Sequence, residues 1–488
     1  MPKKREEQAE AGYLPAHQVK DLPAPPPFNF KNVIQVIGPG AILLGTSIGS
    51  GEWLLGPATI VQYGSALLWI TTVAVILQVF LNVEFVRYTM YTGEPIITGF
   101  MRTKPGPKLW GWVYSLFIFA QYLWPGWAAA SASSLFAAFM GRIPGAGDRQ
   151  MMLMFGYLTF FLCVTIVIFG GKIERMLEYA SWFMVAWIFI YLIIANIIFI
   201  PFHVSAATFS GFFKFGYLPR GADWVLLGAF AAYSGAGGMG NCFISNWMRD
   251  KGYGMGSTVG FIPSAVGGAK VKLSHTGNRF EVNEQNLSKW RTWMKYLAVD
   301  QYGVWGIGCL LGMYLCVNMA VGIVPHGTKM MGLASGAYQA KYLMEHTGYQ
   351  IFWFLTLING FWILFSTQLG NLDGIVRLTT DTLWSGSEAI RKWRGGDVRR
   401  IYYLILAMYV VWGCIGMGLA QPLVLIMIGA NIAAFIFAFT GIHVIITNRK
   451  ILPKEVRAPL WREAVVVCCS IFYAVSFMLC MGKACHLF

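Results

Sequence analysis

Charge is the scarcest property of this chain. Of its 488 residues only 12% are Asp, Glu, Lys or Arg, while 56% are hydrophobic. Soluble domains carry about 25% charged residues, so a water-soluble globular fold is excluded and an integral membrane protein is expected. Ligand-spaced cysteines are missing as well. The nine cysteines, Cys163, Cys309, Cys316, Cys414, Cys468 and Cys469 among them, are scattered mostly through apolar stretches. That excludes a disulfide framework or zinc site and reads them as small core residues. No short apolar core adjoins the polar, proline-rich start (Pro23, Pro25, Pro26, Pro27). Residues 1–32 are therefore expected to form a disordered cytosolic tail rather than a cleavable signal.

Aromatic residues, by contrast, are abundant at 16%, as interfacial belts of Trp and Tyr require. Hydropathy predicts an all-α chain of eleven spans, roughly 33–63, 64–90, 109–140, 151–170, 175–201, 222–249, 295–323, 351–377, 400–420, 422–447 and 460–481. Each is near or above the ~20 residues that cross ~30 Å of hydrocarbon. With the N-terminus in the cytosol, 30 of the 37 Lys and Arg fall on the inside. Only Arg142, Arg149, Lys214, Arg220, Lys329, Lys341 and Lys483 fall outside. Cytoplasmic loops are enriched in these residues, so a multi-pass protein of the plasma or inner membrane, N-terminus in and C-terminus out, is expected. The same distribution accounts for the net charge of +15 without a nucleic-acid partner. In the loop 250–293, Lys270–His275 and Arg279–Val282 alternate around Thr276-Gly277-Asn278, which reads as a β-hairpin followed by a polar helix from about Glu284 to Trp290, or equally as a disordered basic loop.

The most informative stretches interrupt two spans. Span 1 contains Gly45-Thr46-Ser47-Ile48-Gly49-Ser50-Gly51-Glu52-Trp53, and span 6 contains Ser234-Gly235-Ala236-Gly237-Gly238-Met239-Gly240-Asn241-Cys242. Each helical glycine costs about 1 kcal/mol relative to alanine, and a broken helix in hydrocarbon orphans backbone groups at several kcal/mol each. Such backbone survives where it lines a cavity, and corresponding breaks in two halves of a chain point to a transporter's central site. Helix unwinding is predicted near Ile48–Gly51 and Gly235–Gly240.

Around these breaks the sequence resembles the Nramp family of divalent-metal transporters over most of residues 33–460. Gly38-Pro39-Gly40, the break, Trp53, Tyr63-Gly64 and Leu67-Leu68-Trp69 match that family's first span and its approach to the second. Thr92-Gly93, Leu177-Glu178, Asp300, Asn318 and the exit from Thr447 to Leu452 match too. The resemblance implies two inverted five-helix repeats (33–201 and 202–447), with an eleventh helix and short outer tail in 448–488. The break positions suggest the same division independently. It also implies a metal site, which this sequence alters. Gly49-Ser50-Gly51-Glu52 stands where the family has Asp-Pro-Gly-Asn, and Met239-Gly240-Asn241-Cys242 where it has Met-Pro-His-Asn. Span 3, which carries acids for a proton path in the family, here reads Ala120-Gln121-Tyr122-Leu123-Trp124-Pro125.

The expected cargo ligands are therefore the Glu52 carboxylate, the soft Met239 thioether and the carbonyls of Thr46 and Ala236. Gly49 lies at the break, Asn241 beside the path, and Asn431 of span 10 is a further amide candidate. Each has a plainer reading: Glu52 a helix-capping acid, Met239 one packing methionine among 23. Asp300 and Asp373 are candidate proton carriers. Asp373 stands four residues before Arg377, the spacing of a structural ion pair, and Asp300 reads equally as a solvated helix-end acid. His443 is the one His inside a span and is expected to pack.

Three further matches are by-products of glycine-rich breaks. Gly45-Thr46-Ser47-Ile48-Gly49 fits G-x-S-x-G without a strand-to-helix turn. Gly49-Ser50-Gly51 resembles an intramembrane protease motif without a His base. Gly235 to Gly240 fits G-x-G-x-x-G without a β-α-β unit. The leading expectation is a non-enzymatic, monomeric transporter in the bilayer, with a divalent metal ion as cargo and no cofactor. The alternatives are a small organic cation or amino acid on the same fold, since fold does not fix function, and a transport-dead sensor.

Overall fold

A computed structural model describes residues 14–168, 173–262, 273–330, 332, 334–393 and 396–485. The described residues are overwhelmingly helical, and eight helices are long and apolar enough to cross a membrane. They are Ser65–Thr92, Ala146–Ile168, Arg175–Phe199, Glu284–Ile323, Gln350–Gly386, Val398–Gly416, Pro422–Ile451 and Leu460–Lys483. These correspond to spans 2, 4, 5, 7, 8, 9, 10 and 11. The other three expected spans fall on interrupted helices. Span 1 is Pro39–Ser47, a π-helical turn Ser50–Leu55 and Gly56–Tyr63, preceded by Phe30–Val36 at a bend of 58°. Span 3 is Pro107–Tyr122 and Gly126–Met140, and span 6 is Trp224–Tyr233 and Met239–Lys251.

The sequence dictates where each helix stops. Phe30–Val36 starts at Asn29, whose side chain accepts the Asn32 N–H at 2.9 Å. It buries no residue, and Gly38-Pro39 then starts the membrane helix. The polar helix expected at Glu284–Trp290 forms, capped by Asn283, and runs without interruption into span 7. Spans 1, 6 and 8 form the centre: every residue of Pro39–Ser47 is buried, as is nearly all of Met239–Lys251. Span 4 and spans 9 and 11 expose Phe161, Met408 and Met478, as lipid-facing helices of a bundle do.

Two expectations are corrected on the Lys/Arg-rich face. Residues 14–29 are not loose. Gln18–Val19 pairs in parallel with Asn278–Arg279, Leu22 is fully buried, and backbone carbonyls of the strap take side-chain donors from the start of span 7. Lys289 Nζ reaches Leu22 O at 2.9 Å, Trp293 Nε1 Pro23 O at 3.0 Å and Tyr296 Oη Pro27 O at 3.0 Å. The proline-rich segment cannot form a helix, and its extended backbone offers a free row of acceptors to these aromatic residues. The hairpin does not form among the described residues, because the strand edge at Asn278–Arg279 is taken by this strap and Ser274 N–H donates instead to Val259 O. Residues 270–272 of that expectation, and residues 1–13 of the tail, lie outside the described residues.

Candidate functional site

Both predicted breaks are present and face each other. In span 1 the helix ends at Ser47, and Ile48 (φ −66°, ψ 86°) and Gly49 (φ −155°, ψ −121°) leave helical geometry before the π turn. In span 6 the break covers Ser234–Gly238, with φ of +119°, +79° and +55° at Gly235, Gly237 and Gly238. Side chains other than glycine rarely adopt these values, which explains the glycine run. Met239 and Gly240, expected in the break, instead open the second half-helix. The halves touch closely: a Cβ on Gly51 would overlap the Tyr233 carbonyl.

Two buried glutamines replace the lost helical hydrogen bonds of span 6. Gln121 Nε2 donates to Gly237 O and its Oε1 accepts from Met239 N–H, both at 2.9 Å. Gln78 Nε2 donates to Ser234 O at 2.9 Å while its Oε1 accepts from Ala236 N–H at 3.1 Å. A primary amide offers one donor side and one acceptor side, the same complement as a missing peptide group. Gln78 was not singled out by sequence reasoning; a lone Gln in the apolar run of span 2 was the available signal.

A cavity of about 10 Å³ lies between the breaks, room for about one water molecule. Thr46, Ser47 and Ser50 line it from span 1, Gly235 and Ala236 from span 6. Tyr122, Trp127 and Tyr233 form an aromatic wall, and Thr367 and Asn371 reach it from span 8. Trp127 Nε1 fixes the Ser50 hydroxyl at 3.0 Å. A larger cavity of about 270 Å³ sits among Arg149, Met152, Met417 and Gln421, away from the breaks and from every expected ligand.

Thr46, in the last helical turn before the first break, and Ala236, inside the second, both line this cavity. The Glu52 side chain is fully buried beside the cavity but does not line it. Its Oε2 accepts from Gly49 N–H at 3.1 Å, whereas Oε1 has no hydrogen-bond partner. The carboxylate caps its own π turn and lies within electrostatic reach of Cys309 and Cys316 of span 7. Met239 is fully buried at the start of its half-helix and does not line the cavity. Asn241 Nδ2 donates to Asn82 Oδ1 at 2.8 Å and to Gln78 Oε1 at 3.2 Å, leaving its own Oδ1 unpartnered. Asn431 is not brought to the breaks: it donates to Val225 O at 3.1 Å and Met427 O at 2.9 Å, against Gly228 in the other half of span 6. Among the described residues no three His, Cys, Asp or Glu side chains gather into a metal-holding group. An ion in the cavity as it stands would meet neutral oxygens only, with the Glu52 carboxylate and the Met239 thioether off its wall.

The candidate proton carriers have structural partners. Asp300 is fully buried, not solvated. It accepts from Gly38 N–H at 3.2 Å, Gly40 N–H at 3.1 Å and Gln301 Nε2 at 2.8 Å, which anchors the start of span 1. Asp373 accepts from Arg377 Nε and Nη2 at 2.9 Å, Trp247 Nε1 at 2.9 Å and Tyr402 Oη at 2.6 Å. Arg377 also binds Asp250, which pairs with Arg249 at 2.6 Å, which reaches Asp381 at 2.7 Å. This buried network joins spans 6 and 8, and only its Asp373–Arg377 rung showed in the sequence. His443 packs as expected, with Tyr114 Oη at 2.7 Å, Thr103 Oγ1 at 2.8 Å and its ring stacked on Phe100 at 4.4 Å.

Opposed half-helices around a buried cavity, in a multi-pass helical chain, are the architecture of membrane transporters with discontinuous helices. Solved structures place the fold further. Two mutants of the Eremococcus coleocola manganese transporter superpose with TM-scores of 0.61 and 0.60, at 11% identity over 96% of this chain and 90% of theirs. The same transporter in complex with an aromatic bis-isothiourea substituted compound gives 0.56, at 11% identity over 94% and 89%. The chain has the fold of that manganese transporter. No protein-family model matches it, and neither does any curated protein sequence.

Proposed function

We propose that this protein is a secondary transporter that carries a divalent metal ion through the paired breaks by alternating access. The observation that carries the reading is the meeting of two unwound segments at a buried cavity the size of one ion, with Thr46 and Ala236 at its wall. The orphaned Oε1 of Glu52 and Oδ1 of Asn241 lie close to the breaks, so a small rearrangement of the half-helices would add them to the ligand set. A soft contribution from Met239 would favour transition ions over Mg²⁺ or Ca²⁺. Taking each interrupted helix as one span gives eleven, arranged as repeats 33–201 and 202–447 plus a final helix in 448–488. The protein is then a monomer in the plasma or inner membrane, with the N-terminus inside and the C-terminus outside.

A second reading, a small organic cation or amino acid, is favoured by the aromatic wall of Tyr122, Trp127 and Tyr233, whose ring centroids are spaced 5.8 and 6.0 Å apart around Trp127. Such rings bind cations through their faces. Uptake into proteoliposomes across a panel of divalent metals, amines and amino acids decides between them. Metal uptake alone supports the first reading and amine or amino-acid uptake alone the second, while a protein inert to the whole panel would defeat both.

A further inference from the structure

The larger cavity, about 270 Å³, lies at the end of the bundle opposite the strap, where span 4 begins and the turn from span 9 to span 10 closes over it. Its volume is just below the ~300–1,000 Å³ of ordinary small-molecule sites. Its depth is apolar: Ala129, Met152 and Met417 are buried there, with Leu153 and Pro422 beside them. Its rim differs. Leu419 is exposed, and Arg149 stands exposed as the first residue of the span 4 helix. The neighbouring acid is already taken, since Arg142 holds Asp148 by two bonds of 2.7 Å. Arg149 itself donates Nη2 to Gly418 O and has no carboxylate partner among the described residues. A guanidinium has five N–H donors, and the start of a helix adds the positive end of its dipole. The rim is therefore cationic and short of acceptors, above an apolar floor.

The position of the cavity points to what fills it. Met154 of span 4 and Ile415 of span 9, on the helices that flank it, are exposed as lipid-facing residues of a bundle are. An acyl chain can thus enter from the surrounding leaflet without crossing water, leaving its headgroup at the level of Arg149. A zwitterionic head brings its own cation to that rim, whereas an anionic phosphate head does not. Flexible methionines such as Met152 and Met417 adapt to irregular apolar guests. The second half-helix of span 3, Gly126–Met140, stands between this cavity and the one at the breaks. Trp127 lines the inner cavity and Ala129 the outer. Two residues along a helix of 3.6 residues per turn point to nearly opposite faces. The turn that roofs the outer cavity also presses on the break of span 3. A Cβ on Gly126 would crowd Pro422 O, and one on Gly416 would crowd the Pro125 ring.

We propose that this cavity seats an acyl chain of an anionic phospholipid, with the phosphate on Arg149, and that the occupied seat braces the span 9–10 turn against span 3. Binding stands without the transporter reading above; only its effect on uptake rests on that reading. A lipid that fits one arrangement of span 3 better than another shifts the balance between them. Through Trp127 and its hydrogen bond to Ser50, that balance reaches the cargo cavity.

The test delipidates the full-length protein in detergent and titrates it with phosphatidylglycerol, phosphatidylcholine of the same chains, or sodium laurate, reading bound lipid by native mass spectrometry. Phosphatidylglycerol is expected to bind more tightly than phosphatidylcholine. Arg149→Gln should weaken it by about fivefold, the worth of one cation beside an anionic headgroup, and erase the preference, whereas Arg149→Lys keeps it. Ala420→Trp, which fills the cavity from its wall, should lower the binding of both phospholipids. Lipid-free melting temperatures equal to wild type are expected of all three variants. Equal binding of the two phospholipids, or a preference unchanged by Arg149→Gln, overturns the proposal. Binding that survives Ala420→Trp also overturns it, by placing the lipid elsewhere. Laurate binding without phosphatidylglycerol binding does so too, by making the occupant a free fatty acid. Cargo moved equally into vesicles with and without phosphatidylglycerol overturns the bracing role. Lipid bound at Arg149 in a protein that moves no cargo keeps the seat and sinks the transporter reading.

Discussion

At the scale of residues, the two carboxyl-bearing and sulfur-bearing candidates separate cleanly by where their atoms lie. Glu52 has one oxygen committed to Gly49 and one without a hydrogen-bond partner; it caps its π turn and is the proposed carboxylate ligand. Glu52→Gln preserves the cap, since its amide oxygen still accepts from Gly49, but removes the charge. The protein should fold and insert while metal binding measured by calorimetry falls below detection. Met239→Ala should shift preference from soft ions toward Mg²⁺ or Ca²⁺ rather than abolish uptake; unchanged selectivity would leave Met239 a packing residue. Thr46, Ala236 and Glu52 were legible in the sequence because the breaks announce themselves locally. Thr367 and Asn371 were not, because nothing in the apolar run of span 8 shows which of its faces meets span 1. That face is set by packing between helices, through Gly49 and Gly370, far apart in the chain.

At the scale of elements, the spans were legible from hydropathy, and their breaks from glycine, to within a few residues. The interruption of span 3 at Leu123–Pro125 was not expected, although Pro125-Gly126 is a strong breaker pair and the apolar run around it reads as one long span. The consequence is mechanical: Tyr122 and Trp127, either side of that break, both face the cavity. Gln121 also changes meaning. It stands where the Nramp family has acids, and here it braces span 6. Gln121→Leu should leave Met239 N–H unpaired, at about 1–3 kcal/mol for that buried group, and leave Gly237 O with the Gly240 N–H at 2.9 Å, lowering the melting temperature and cargo affinity together. Gln121→Glu can still accept from Met239 but cannot donate to Gly237, so an intermediate loss is expected. The Asp373–Arg377 rung carries a larger penalty. Asp373→Ala leaves the buried Arg377 with Asp250 as its remaining carboxylate and takes the acceptor from Trp247 and Tyr402; breaking a buried ion pair costs up to about 3–5 kcal/mol, and the loss should be read as lost yield of folded protein rather than lost coupling.

The N-terminal strap belongs to the same scale. Glu94, in the loop after span 2, receives Arg102 Nε at 2.7 Å, Tyr88 Oη at 2.6 Å and Gly277 N–H at 2.8 Å, and pairs with His17 of the strap at 3.2 Å. Burial alone would raise its pKa, but Arg102 and His17 outweigh that and hold the carboxyl well below its usual range. A depressed carboxyl pKa contributes stability above the unfolded value, ~4.3, and the contribution fades as pH falls toward the folded value. Protease protection of residues 14–29 should therefore be full at neutral pH and drop on strong acidification, and Glu94→Gln should be cut readily at pH 7. A variant protected like the wild type would show that the backbone contacts to span 7 hold the strap unaided.

For the whole molecule, the question is what would drive the proposed transport. Proton coupling needs a titratable relay from the site to one face, built of Asp, Glu or His turned toward the bundle interior. Span 3 offers Gln121 and Tyr122 instead, and Asn241 stands at the histidine position of span 6. Neither amide exchanges a proton near neutral pH. Of the remaining acids of the central bundle, Asp300 holds Gly38 and Gly40, Asp373 is bound by Arg377, Trp247 and Tyr402, and Glu52 caps its own turn through one oxygen with no second titratable group linking it to either face among the described residues. A carboxylate that must release three partners to take up a proton is a poor carrier, because each protonation would loosen spans 1, 6 or 8. We therefore expect uptake in proteoliposomes to depend weakly on an imposed pH gradient, with no stoichiometric proton entry reported by a pH dye in the lumen. Asp300→Asn should lower stability by loosening the start of span 1, without changing the coupling of whatever uptake remains. Cargo-dependent acidification of the lumen, lost in Asp300→Asn, would instead establish a relay through span 7, with the Gly38 and Gly40 amides opening and closing around Asp300 in each cycle.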